Sequence, residues 1–177
     1  MSGSDATLHM LCGKIAAGKS TLSAQLARAE RTLMIGEDLW IDRLYGPELR
    51  TLADYFERSD RLRATLAPHI VDLLRAGVSV VLDFHANTLG SRAWMRSLFE
   101  EAEAGHQLHF LDLPDDVCRA RMHARKAAGG SGVSDAEFDH VTSFFVPPDP
   151  GEGFNVIKYG DSRALAASAP EGDKRRS

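Results

Sequence analysis

Short apolar runs alternate along this chain with longer segments in which apolar residues recur every three or four positions. The runs are Thr7–Cys12, Arg31–Gly36, Val78–Phe84, His106–Leu113 and Phe154–Tyr159, each read as a buried strand. Between them, Leu22 and Leu26 share one face of a helix over 21–28, and Leu62, Leu66, Ile70 and Leu73–Leu74 form a stripe within 47–76. Pro68 interrupts that stripe, and a proline lacks the amide donor and crowds the preceding turn, so two helices meeting near 66–68 are expected. Trp94, Leu98 and Ala102, with Met95 and Phe99 alongside, mark an amphipathic helix over 91–104 whose aromatics belong to the core. Helices over 115–126 and 135–145 complete an alternating α/β pattern.

The joint between the first strand and the first helix is Gly13-Lys14-Ile15-Ala16-Ala17-Gly18-Lys19-Ser20, which fits the phosphate-loop pattern G-x-x-x-x-G-K-[ST] at every fixed place. The glycines let backbone N–H groups turn inward around phosphate oxygens; Lys19 supplies charge for the outer phosphates and Ser20 a hydroxyl for Mg2+. The helix beginning there, at Ser20 and Thr21, points its positive end at the anion.

Acids stand where the other strands end. Val80-Val81-Leu82-Asp83 has the form of a Walker B strand, and Asp83 is expected to hold Mg2+ beside Ser20. Glu37-Asp38 follows the second strand. In an open parallel sheet the strands' carboxyl ends face the ligand crevice, so Asp38 is a candidate base for a substrate hydroxyl, or the cap of a helix starting at Leu39, or both. His85 and Asn87, just past Asp83, and Arg92, early in the next helix, are candidate acceptor contacts. The stretch Glu57–Arg63 reads as a solvated face. His106 and His109, three apart on a strand, point to opposite faces and do not form a shared metal site. The segment 115–126 opens with Asp115-Asp116 and closes with Arg125-Lys126, as a helix dipole favours. Arg121 and Arg125 share one face, and Gly129-Gly130-Ser131-Gly132 follows, a hinge suited to a basic lid that closes over phosphate.

Composition narrows the partners. The 177 residues carry 21 Lys and Arg against 25 Asp and Glu, a net charge of −4, without the basic footprint of a dedicated nucleic-acid binder. Cys12 and Cys118 have no metal-like spacing and are expected as buried thiols. No apolar run reaches membrane-span length and no signal-like start is present, so a cytoplasmic protein is expected. From about Asp161 the sequence turns to Ala, Ser, Gly and charge, so a domain over 1–160 and a disordered tail over 161–177 are expected.

The order strand, phosphate loop, helix, strand ending in Asp, helices, strand ending in Asp, Arg-bearing helix and glycine loop resembles the small P-loop kinases. These are the AAA-type ATP-binding kinases grouped with zeta toxin, chloramphenicol phosphotransferase, gluconate kinase and polynucleotide kinase. The resemblance covers about 7–158. It implies a three-layer fold with a five-stranded parallel sheet in the order 2-3-1-4-5, ATP and Mg2+ as cofactors, and transfer of the γ-phosphoryl group to a hydroxyl. It further implies that Asp38 orients or deprotonates the acceptor, that Lys19, Arg121 and Arg125 neutralise the transferring group, and that Arg119 stacks on adenine. Three acids, Glu37, Asp38 and Asp42, compete for the role of base. A small-molecule acceptor is favoured over a long nucleic acid; a nucleotide switch binding a protein and a toxin-like sugar-nucleotide kinase are the other readings.

Overall fold

The computed structural model describes residues 4–130 and 132–160; the expected tail over 161–177 lies outside the described residues. Five strands, β1 (Ser4–Gly13), β2 (Thr32–Gly36), β3 (Ser79–His85), β4 (Ala104–Leu111) and β5 (Val156–Tyr159), form one parallel sheet in the order β2-β3-β1-β4-β5. Six α-helices lie between them: α1 (Lys19–Leu26), α2 (Glu37–Tyr45), α3 (Leu52–Arg75), α4 (Leu89–Ala102), α5 (Asp115–Ala127) and α6 (Asp135–Ser143).

Strand alternation decides which helix covers which face. Leu8, Met10 and Cys12 of β1 pack with Ile41 of α2, Leu66 and Ile70 of α3, and Met95 and Leu98 of α4. Leu11 points the other way, into a cluster with Leu22 of α1, Cys118 and Met122 of α5, and Phe138 of α6. Helices therefore cover both faces, giving three layers. Both cysteines are buried free thiols; burial pushes Cys12 up to about 12 and raises Cys118, so neither is a ready nucleophile. His106 stacks on Phe99 while His109 meets His9 and Tyr159 in the opposite layer. Among the described residues no helix is long and apolar enough to cross a membrane.

The expected break at Pro68 does not occur. α3 is one helix of 24 residues with Pro68 inside it. The missing donor and ring clash cost about 3 kcal/mol. Against this, Leu62, Leu66, Ile70 and Leu74 are at most 4% exposed, and burying four such side chains contributes about 1.5–3 kcal/mol each. A capping box between Thr51 and Asp54 fixes where the helix starts.

The register aligns the strand ends. Gly36 of β2 pairs with Asp83 of β3, and Leu11 of β1 with His85, so the segments after Gly13, Gly36 and Asp83 leave the sheet along one edge. The chain changes direction between β1's two neighbours, β3 and β4, which opens a crevice at that edge.

Candidate active site

The phosphate loop is shaped by two glycines for different reasons. A Cβ on Gly13 would lie 3.1 Å from the Leu111 carbonyl oxygen and 3.3 Å from Ala17 Cβ, so the first position is a matter of space. Gly18 has φ 105°, a left-handed conformation that side chains resist, and it caps α1. Lys19 is 9% exposed, and its Nζ donates to the carbonyls of Gly13 at 2.6 Å and Lys14 at 2.8 Å. Burial lowers its pKa to about 8 despite the nearby Asp83. The loop thus keeps a desolvated cation waiting on its own carbonyls. Ser20 and Thr21 stand exposed in the first turn of α1, and Ile15 and Ala16 line the loop with Ala17 buried beneath. The Lys14 side chain leaves the loop: Nζ donates to the Leu113 carbonyl at 3.2 Å and pairs with Asp115, tying the loop to α5.

Asp83 reaches α1. Its Oδ1 accepts from the hydroxyl of Ser23 at 3.0 Å. Ser23 was not singled out from sequence, although its spacing of three from Ser20 places it one turn along the same helix side. Ser20 and Asp83 offer a hydroxyl and a carboxylate, hard oxygen donors of the kind Mg2+ takes while keeping several waters. Among the described residues no group of three or more His, Cys, Asp or Glu could hold a metal by itself.

The three acids after β2 have separate fates. Glu37 is 1% exposed and engaged: it accepts from Arg63 Nε at 2.8 Å, from Arg63 Nη2 at 3.3 Å, and from the Ser59 hydroxyl. Asp42 is exposed on the following turn of α2. Asp38 lies in the first turn of α2 without a side-chain capping bond, since Gly36 is the N-cap; its side chain is 72% exposed. Its Oδ1 accepts from the Tyr55 hydroxyl at 2.7 Å, and its Oδ2 lies 3.9 Å from His85 Nε2. Desolvation, the largest cause, and the neighbouring Lys19 lower the His85 pKa below its usual 6.5, against the opposing pull of Asp38.

The stretch 57–63 is therefore not only a solvated face. Ser59 and Arg63 turn inward because Glu37, buried at the start of α2, would otherwise be an unpaired charge. Sequence alone shows charges there; it does not show which of them a neighbouring helix will claim.

Two expected acceptor contacts lie elsewhere. Arg92 is fully buried: Nε and Nη2 form a fork with Glu152 at 2.7 and 2.9 Å, and Nη1 donates to the carbonyls of Ala86 and Val146 at 3.0 and 2.8 Å. It braces the structure behind the crevice. Asn87 grips the phosphate loop: its Oδ1 accepts from Gly13 N–H at 2.9 Å, and its Nδ2 donates to Gly13 C=O at 3.0 Å. This side chain completes the ladder where β3 has already ended. Asn87→Asp would set a carboxylate against the Gly13 carbonyl. Loss of such a bond and the added repulsion are worth about 1–3 kcal/mol. Nucleotide affinity measured by titration calorimetry is expected to fall about tenfold or more.

The α5 arginines diverge. Arg121 Nη1 donates to the Ala17 carbonyl of the loop at 3.4 Å. Arg125 sits one turn further, exposed, before Gly129 at φ 81°. Arg119, expected beside adenine, is engaged by α6. Its guanidinium lies over Phe138, 4.6 Å from the ring centroid, and bonds Asp135 at 3.3 Å and Asp139 at 2.6 Å. The bonds to Asp139 and Asp135 raise its pKa further; its partners are on α6, and the contact joins the two helices.

A phosphate loop at the end of the central β1, acids on the adjacent strand ends and a sheet ordered 2-3-1-4-5 define a nucleotide-binding P-loop protein with the P-loop kinase fold. The chain belongs to a family of AAA domains, whose profile matches residues 8–148. No curated protein matches the sequence. Among solved structures it is similar to a kinase candidate from Chloroflexus aurantiacus J-10-fl, with 20% identity over 93% of this chain and 90% of that one, at TM-score 0.71. A sugar kinase from Janibacter sp. HTCC2649 shares 17% identity over 88% and 85% of the two chains, at TM-score 0.62. A gluconokinase from Sinorhizobium meliloti 1021 shares 19% over 94% and 87%, at TM-score 0.57. Identities this low establish the shared fold.

Proposed function

We propose that this protein is an ATP- and Mg2+-dependent kinase that moves the γ-phosphoryl group to a hydroxyl of a small-molecule acceptor. The observation that carries the reading is Asp38: a carboxylate at the crevice edge with one oxygen held by Tyr55 and the other turned toward His85, on the strand end next to Asp83. Of the three candidate bases it fits best, because Glu37 is consumed by Arg63 and Ser59. Asp38 takes the acceptor proton as the acceptor oxygen bonds to the γ-phosphorus; the bond to the β,γ-bridging oxygen breaks and ADP leaves.

Mg2+, when bound, screens the phosphate oxygens, and Ser20 and Asp83 would hold it. Lys19 leaves its resting carbonyls for the outer phosphates. Arg121, already at the loop, and Arg125 beyond it bring further positive charge from a lid hinged near Gly129–Gly130. The net charge of −4 favours a small acceptor over a polyanion. The sugar kinase and the gluconokinase among the structural neighbours make polyols and sugar acids the first compounds to try.

The test is a panel of hydroxyl metabolites, nucleosides and antibiotics with ATP and Mg2+, read by mass spectrometry. A phosphorylated product is expected, and Asp38→Asn should slow its formation about 10²–10⁴-fold while ATP binding stays within about twofold. If ATP binds and no acceptor is ever phosphorylated, the kinase reading fails in favour of a nucleotide switch.

A further inference from the structure

Resting on Asp38 as the acceptor carboxylate, we infer that Tyr55 is its positioning residue: the α3 face bearing Tyr55, Ser59 and Arg63 sorts the adjacent acids Glu37 and Asp38 into a buried anchor and a presented base. Spaced four apart, these three side chains stand one above another along a single side of α3. Arg63 and Ser59 take Glu37, which is closed to solvent. Tyr55, one turn earlier, takes Asp38 Oδ1 at 2.7 Å.

The arrangement solves a geometric problem. Asp38 is 72% exposed, and a carboxylate in that setting would sample several rotamers. The Tyr55 ring packs against the core cluster of α2, α3 and α4, so its hydroxyl is a fixed point rather than a second mobile group. With Oδ1 held there, Oδ2 is left toward His85, 3.9 Å away. The Glu37–Arg63 pair meanwhile fixes the first turn of α2, so the backbone carrying Asp38 cannot drift from α3. Burial and the charge of Asp38 raise the Tyr55 pKa above its ordinary value, so the phenol remains a donor and never competes as the base. Tyr55 needs no contact with substrate: it acts through Asp38.

Two measurements separate this assignment from the kinase reading. Without any acceptor, tyrosine 13Cζ resonances are compared near neutral pH in the wild type and in Asp38→Asn, the Tyr55 signal being the one that Tyr55→Phe removes. That signal is expected to move in Asp38→Asn, because the phenol no longer donates to an anionic acceptor; an unchanged Tyr55 resonance overturns the assignment whatever the protein's activity. With an accepted hydroxyl compound, Tyr55→Phe is expected to lower kcat about tenfold with the KM for ATP and the melting temperature little changed. In the Asp38→Asn background the same substitution should have almost no further effect on kcat. A tenfold loss in both backgrounds, or none in either, would assign Tyr55 to general structure instead. Failure of the whole panel to yield product removes the kinase reading and leaves the resonance comparison as the deciding test of the contact.

Discussion

Replacing Lys19 with methionine is expected to make the nucleotide-free protein more stable near neutral pH while removing 10²–10³-fold of its phosphoryl-transfer rate. The two effects share one cause. Lys19 is held in a desolvated loop with its pKa lowered from 10.5 to about 8. Between those values the unfolded chain keeps a proton that the folded protein sheds, so stability rises with pH across the window from about 8 to 10.5. Below about 8 the folded state carries the full burden of the buried charge, about 3 kcal/mol. Methionine removes that burden, and the stranded carbonyls keep other partners: Gly13 C=O still accepts from Asn87 and Lys14 C=O from Ala17 N–H. A gain of about 1–3 kcal/mol is expected near neutral pH, shrinking toward pH ~10.

Phosphate reverses the sign. An anion beside the ammonium favours its charged form, so wild-type affinity for ATP should fall as pH rises through about 8, and the methionine variant should lack this dependence. Calorimetric melting with and without ATP, near pH 7 and pH 10, checks both halves. A methionine variant less stable than wild type near neutral pH would show that Lys19 is chiefly a structural tie.

Glu152→Ala is expected to be the most destabilising single change outside the crevice. The Arg92 side chain is fully buried, and among the described residues Glu152 is its only carboxylate partner. Removing one member of a buried pair leaves a charge uncompensated, at about 3–5 kcal/mol. The low end applies, because Glu152 is 17% exposed and the carbonyls of Ala86 and Val146 still receive Arg92 Nη1. For a domain of this size about 3 kcal/mol corresponds to a fall in Tm of roughly 6–12 °C. The damage should reach the nucleotide as well: Ala86 precedes Asn87, and Asn87 holds Gly13 by both its N–H and its C=O. Urea denaturation and ATP titration of Glu152→Ala should therefore worsen together. A Glu152→Leu, Arg92→Met double variant should recover most of the stability, since an apolar pair of similar volume needs no compensation. Loss of stability without loss of ATP affinity would uncouple this brace from the phosphate loop.

These effects also mark where sequence reading succeeds and stops. The strands were legible because they are short apolar runs closed by glycine, proline or an acid, and the loop because its glycines, Lys19 and Ser20 answer local demands of backbone shape and charge. Pro68 misled for a physical reason: the rule against proline in helices is local, and the burial that overrides it comes from other layers of the fold. Arg92, Arg119 and Asn87 have in common a partner that the sequence did not disclose. Each is polar and close in sequence to a predicted crevice, and in each case a partner remote in sequence, Glu152, Asp139 or Gly13, takes the side chain. Tyr55, Ser59 and Arg63 carry a spacing of four that was available in the sequence, but nothing in their own helix says that Glu37 and Asp38 lie opposite.

By itself, then, the sequence determined the α/β alternation, the phosphate loop, and the acids that end β2 and β3, since period, glycine placement and strand-end chemistry are short-range properties. The tertiary structure alone decided which of two adjacent acids is closed by Arg63 and which is presented beside His85. A carboxylate's role depends on the charge and solvent around it, and that surrounding is assembled from β2, β3 and α3, which only the fold brings together.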